Sequence, residues 1–127
     1  MRPGGGSIPV TRDGKGDLQG VPAVIDKDLT SAMLAAEMGA ECFVMLTGVD
    51  RLAIDFGKPT PRFLGRMTSV DAERYLAEGQ FPPGSMGPKI TAALRYLRCG
   101  AGHVIITSLD KAYDALEGRA GTRIVAP

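Results

Sequence analysis

The 127-residue sequence predicts one α/β domain built on a largely parallel sheet. Three observations carry this. Two unbroken apolar runs, Cys42–Leu46 (CFVML) and His103–Thr107 (HVIIT), have the length and character of strands covered on both faces. Around them lie segments whose apolar residues recur at helical spacing. The 17 Gly and 9 Pro fall between these segments as punctuation, with no fibrous period. A chain of this length buries one core and not two, so residues 1–127 are read as one domain.

Along the chain, Ser7–Val10 reads as a short extended piece and Thr11–Gly20 as a polar loop. Val21–Ile25 (VPAVI) reads as a short strand, which Pro22 confines to an edge or to its first positions. A helix follows, with Leu29, Ala32, Met33, Ala36 and Met38 on its apolar side, Asp28 as its cap and Gly39 at its end. Beyond CFVML and a turn at Val49–Arg51, Leu52–Phe56 is a weaker strand and Gly57–Pro61 a loop. Thr68 and Asp71 have the spacing of a capping box, opening a helix to about Glu78. Gly79–Gly84 is a loop, and Ser85 caps a helix with Pro88 in its first turn and the stripe Ile90, Ala93, Leu94 and Leu97. After HVIIT, Ser108–Leu116 is a short helix closed at Gly118, and Thr122–Val125 is the last strand. Met33, Met38, Met45 and Met86 fall at core-like positions.

Composition excludes several functional classes. Fifteen Lys and Arg against 14 Asp and Glu leave a net charge of +1, without the basic footprint of a general nucleic-acid binder. No apolar run approaches the roughly 18 residues that cross a bilayer, and Met1–Gly6 does not have the form of a secretory signal. Cys42 and Cys99 lie far apart inside apolar patterns and read as buried thiols of a reducing compartment, so the expected location is the cytoplasm. The acidic residues lack the spacing of a calcium loop, and no intrinsic metal site is expected. His103, the single histidine, opens a strand at the sheet border and is not expected to be catalytic.

Ligands on such sheets bind beyond the carboxyl ends of the strands, which singles out Asp26–Lys27, Thr47–Asp50 and Ser108. Three segments combine glycine or a helix start with charge. Gly4, Gly5 and Gly6 let backbone amides converge on an anion, although such a run also fits a flexible tail. Asp26, Lys27 and Asp28 emerge from a strand into a helix, where a lysine and the helix N-terminus face the same anion; a cap with a solvated ion pair is the alternative. Pro83–Lys89 (PGSMGPK) runs from a glycine-rich loop into a helix whose first turn presents Lys89 against the dipole, so a compensating anion is expected there. These placements point to phosphoryl chemistry or nucleotide binding.

The strings GGGSIPV (Gly4–Val10), GVPAVIDKDLTSAMLA (Gly20–Ala35), LTGVD (Leu46–Asp50), FGKP (Phe56–Pro59), PGSMGPK, IITSL (Ile105–Leu109) and GTRIV (Gly121–Val125) together resemble the carbamate kinases, in the same order and over essentially the whole chain. The resemblance implies the amino-acid-kinase fold, a three-layer α/β/α sandwich around a mostly parallel sheet. It covers only the C-terminal, nucleotide-binding part of those longer enzymes. It also implies the reversible reaction of ATP and carbamate to ADP and carbamoyl phosphate with Mg²⁺, used in arginine fermentation. By the same resemblance Asp26 organises the catalytic lysines, Lys27 and Lys89 meet the nucleotide phosphates, and Thr47, Gly48, Val49 and Asp50 line the nucleotide pocket with Met86 near the adenine. Gly4, Gly5 and Gly6 match the loop facing the transferred phosphoryl group. The sequence departs from the family pattern at Gly48, Ala53 and Gln80, which stand where Asp, an aromatic and His are usual. The expectation is a carbamate-kinase-like phosphotransferase of impaired activity, with a homodimer or an N-terminal partner chain supplying what is missing. The alternatives are a non-catalytic nucleotide-binding module, half of a split enzyme, or a kinase of another acid such as acetylglutamate or glutamate.

Overall fold

The computed structural model describes residues 10–20, 27–55, 58–99 and 102–127. The expected strand at Val21–Ile25, Asp26, and Gly4, Gly5 and Gly6 lie outside the described residues.

Four strands form the main sheet: β3 (Cys42–Leu46), β7 (His103–Thr107), β8 (Thr122–Val125) and β6 (Arg66–Thr68), side by side in that order. β3 and β7 are parallel, as are β6 and β8, while β8 returns antiparallel to β7. Strand alternation divides the side chains. Phe43, Met45, Met67, Val104, Ile106 and Ile124 point to one face and form the core with three helices, α1 (Lys27–Glu37), α2 (Ser69–Ala77) and α3 (Met86–Cys99). Ile105 lies on the opposite face, where the short α4 (Ala112–Leu116), entered through a 3₁₀ turn (Leu109–Lys111), packs against β7. Helices on both faces of a mostly parallel sheet make the expected three layers.

Local chemistry explains the elements. The capping box is formed: the Asp71 N–H donates to the Thr68 hydroxyl and the Thr68 N–H to the Asp71 carboxylate. The stripe Ile90, Ala93, Leu94 and Leu97 is buried on α3. Gly39 and Gly118 end their helices with φ of 67° and 82°, backbone that residues with a Cβ adopt at a cost.

Several expectations are corrected. Thr11–Gly20 is not a plain loop but a hairpin of β1 (Val10–Arg12) and β2 (Leu18–Gly20). Its turn is built by Asp13, whose carboxylate accepts from the Asp17 and Lys15 N–H groups and is thereby held below the usual carboxylate range. Both strands are exposed throughout, so no hydrophobic alternation announces them. Leu52–Phe56 does not join the main sheet: β4 (Leu52–Ile54) pairs with an unforeseen β5 (Arg62–Leu64) in a separate antiparallel hairpin. Asp28 lies inside the first turn of α1 rather than capping it. Met33 and Met38 are 51% and 74% exposed, because α1 meets the core through Ala32, Ala35 and Ala36. The cysteines are not both buried: Cys99 is exposed, and Cys42 is half-buried with its thiol pKa pushed up by burial.

Candidate functional site

The carboxyl ends of β3 and β7 are locked together. The Thr47 N–H donates to the Thr107 carbonyl at 2.8 Å, and one residue further on the Ser108 hydroxyl donates to the Asp50 carboxylate. The turn after β3 is thereby drawn over the end of β7, at the edge where a parallel sheet offers its ligand crevice.

A cavity of about 890 Å³ opens beside this turn. One wall is the β4–β5 hairpin, carrying Leu52, Ala53 and Phe63. A second is the loop between α2 and α3, with Phe81, Pro82 and Met86, and the far rim is polar, with Lys111, Asp114 and Arg119. Largely apolar walls with a few convergent polar groups are the usual form of a small-molecule site, and the volume suits a nucleoside with phosphates.

Two side-chain clamps hold the hairpin in place. The Thr122 hydroxyl of β8 accepts from the Leu52 N–H at 2.8 Å and donates to the Leu64 carbonyl at 2.5 Å, fastening both strands of the hairpin to the sheet. The Gln80 amide oxygen accepts from the Asp55 N–H at 2.9 Å, and its amide nitrogen donates to the Asp55 carboxylate at 3.3 Å. Asp55 adopts a φ of 56°, and its bonds to Lys58 and Gln80 hold its carboxyl below the usual range. Gln80 thus ties the two cavity walls together.

The second feature is the junction of two helix starts. The Lys89 ammonium, in the first turn of α3, lies 3.2 Å from each carboxylate oxygen of Asp28, in the first turn of α1. Both side chains are largely buried, at 17% and 21% exposure. The anion expected to offset a lysine at a helix start is therefore supplied in this structure by Asp28. Gly87 permits this turn: its N–H donates to the Pro82 carbonyl at 2.8 Å, and a Cβ would stand 3.1 Å from that oxygen. Lys27 opens α1 and is exposed.

Of the sequence-predicted residues, Val49, Asp50 and Met86 line the large cavity. Thr47 and Gly48 belong to the turn above it but not to its lining, and Lys27 and Lys89 sit at the paired helix starts. Phe63, Phe81, Lys111, Asp114 and Arg119 also line it and escaped sequence reasoning. An aromatic after a Gly/Pro loop (Phe63) and the FPP triplet were the available signals, but only the hairpin's position makes them a wall. His103 stands at the opposite end of β7, its pKa pushed down by burial and by Arg123.

The model of the amino acid kinase family matches residues 4–108. The chain is 48% identical over 122 residues to the carbamate kinase of Thermococcus kodakarensis, covering 96% of this chain and 38% of that protein. It is 50% identical to the carbamate kinase-like protein YahI of Escherichia coli, again over 96% of this chain and 39% of that one. The solved carbamate kinase of Giardia lamblia bound to AMP-PNP superposes with a TM-score of 0.90 at 40% identity, over 97% of this chain and 43% of that chain. This chain therefore spans about two-fifths of the length of the relatives it matches.

Proposed function

The chain belongs to the amino acid kinase family, and we propose that it is the nucleotide-binding part of a carbamate-kinase-like phosphotransferase, with ATP and ADP as its nucleotides and carbamate or carbamoyl phosphate as the other substrate. The observation that carries this reading is the cavity of about 890 Å³ beside the carboxyl ends of β3 and β7, open between Met86 and the Val49–Asp50 turn. The base and ribose would occupy its apolar part, against Phe63, Ala53 and Met86. From Met86, at the start of α3, the phosphates would extend toward the paired helix ends. There the positive ends of α1 and α3 and the ammonium groups of Lys27 and Lys89 would neutralise phosphate charge.

Phosphoryl transfer asks little covalent chemistry of a protein; it needs the reacting groups aligned and their charge neutralised. Lys89, already held by Asp28, is positioned before any nucleotide binds. Asp26 would orient the lysines, and Gly4, Gly5 and Gly6 would offer amides to the transferred group. Mg²⁺, when bound, screens the phosphate oxygens. Such an ion is held mainly by phosphates and water, with one or two carboxylates. The described residues gather no group of three metal-ligating side chains, and Asp50 and Asp114 are the carboxylates among them that line the cavity.

The Lys89 ammonium, already engaged by Asp28, supports a second reading alongside the first. In it, these residues bind nucleotide but turn over slowly by themselves, as a binding module or as one half of an enzyme completed by a partner chain or a second copy. Among the described residues no helix is long and apolar enough to cross a membrane, and no nucleic-acid partner is proposed. The test is calorimetry of Mg-ADP with the purified chain and with Lys89→Ala. Saturable binding weakened by the substitution supports nucleotide binding; no binding by a folded chain refutes it. Robust ATP formation from ADP and carbamoyl phosphate by the chain alone would refute the slow-turnover reading.

A further inference from the structure

On the other side of the Arg119–Gly121 turn from the large cavity lies a second one, of about 440 Å³, under the sheet face that α4 partly covers. Three arginines line it: Arg51, from the turn after β3, Arg66 on β6 and Arg123 on β8. Arg66 and Arg123 are direct register partners, so their side chains leave the sheet on the same face from strands about 4.8 Å apart. Like charges opposed across a ladder repel, and among the described residues none of the three forms an ion pair. Among the described residues Glu117 is the only acidic one of the lining, against three guanidinium groups. Arg51 makes one long bond, to the Arg119 carbonyl at 3.5 Å, and lines the large cavity as well.

We propose that this arginine-lined cavity is an oxyanion site, distinct from the nucleotide site and sharing Arg51 with it, that takes a dianionic phosphate group. Guanidinium forks match phosphate oxygens in pairs, and a phosphate dianion presents three terminal oxygens to donors arriving from different sides. Its ligand is inorganic phosphate or the phosphate end of a small phosphomonoester, for which 440 Å³ leaves room.

The test follows backbone amide shifts of the full 127-residue chain at low salt while inorganic phosphate, and in a second titration β-glycerophosphate, is added. Expected are saturable shifts centred on Arg66, Gly118 and Gly121, weakened at least tenfold by Arg66→Gln and by Arg51→Gln with the fold unchanged, and retained in Lys89→Ala. Tighter binding of β-glycerophosphate would assign the cavity to a phosphomonoester, and equal or tighter binding of inorganic phosphate to the free ion. If Arg66→Gln fails to fold, Arg123→Gln, which lines this cavity and not the large one, decides. No shifts with either titrant, shifts indifferent to both arginine variants, or shifts lost only in Lys89→Ala would overturn the proposal. Mg-ADP affinity of Arg66→Gln separates this from the nucleotide reading, since Arg66 is not part of the large cavity.

Discussion

Consider the Lys89–Asp28 pair, cut by Lys89→Met, Asp28→Asn and the double substitution. An exposed pair contributes about 0.2–1 kcal/mol, whereas removing one partner of a fully buried pair costs about 3–5 kcal/mol. This pair is 17% and 21% exposed, with both carboxylate oxygens at 3.2 Å from the ammonium, so it falls between the two. We expect Lys89→Met to cost about 2 kcal/mol, an intermediate value between those two limits. With roughly 2.1 cal/mol/K of unfolding entropy per residue, that lowers Tm by about 7 °C in 127 residues. Urea denaturation is the assay, because an ionic denaturant would screen the pair. The double variant should recover part of the loss, giving a coupling energy of at least about 1 kcal/mol. A coupling under about 0.5 kcal/mol would mean that the pair behaves as a surface contact, and the claim that Lys89 is positioned in advance would fail.

Three further outcomes are expected. Phe63, 66% exposed at the cavity mouth, contributes little to folding, so Phe63→Ala should leave Tm nearly unchanged while weakening Mg-ADP about tenfold, as loss of a stacking surface does; unchanged affinity by calorimetry would remove the base from that wall. Thr122→Val keeps the shape but orphans the Leu52 N–H and the Leu64 carbonyl, and should cost about 2 kcal/mol and loosen the hairpin, seen as faster amide exchange across β4 and β5. Burial and Arg123 depress the His103 pKa in the fold, so the unfolded chain binds the extra proton first; stability should be full above about pH 6.5 and fall as pH drops toward the folded value. The carboxylates with lowered pKa values, Asp13, Asp55 and Asp110, act only near and below pH 4, so a loss between pH 6.5 and 5 that persists in His103→Gln would contradict this assignment.

Much of the architecture was legible in the chain because it rests on local or near-local chemistry. CFVML and HVIIT are legible as strands because short apolar runs between turn signals suit a sheet interior, although only HVIIT is covered on both faces, Leu46 at the end of CFVML being exposed. Thr68 and Asp71 cap their helix with atoms three residues apart, and glycines that end helices do so through their own backbone freedom. The order of motifs likewise pointed to the family before any coordinate, and to the end of the sheet beside which the large cavity opens.

Tertiary structure decided the rest. The hairpin of Leu52–Ile54 and Arg62–Leu64 has no strong alternation, and its place depends on the hydroxyl of Thr122, some 58 residues beyond Leu64, and on Gln80. That placement turns Phe63 from an exposed aromatic into a cavity wall. Asp28 read as a cap from its position beside a helix start, but its partner is 61 residues away on another helix, a pairing that sequence separation hides. The arginines at 66 and 123 look like ordinary surface charge until the register of two parallel strands sets them side by side. What a residue does to its own backbone is written in the local sequence; what it does to a distant side chain appears only when the sheet fixes register and the helices dock.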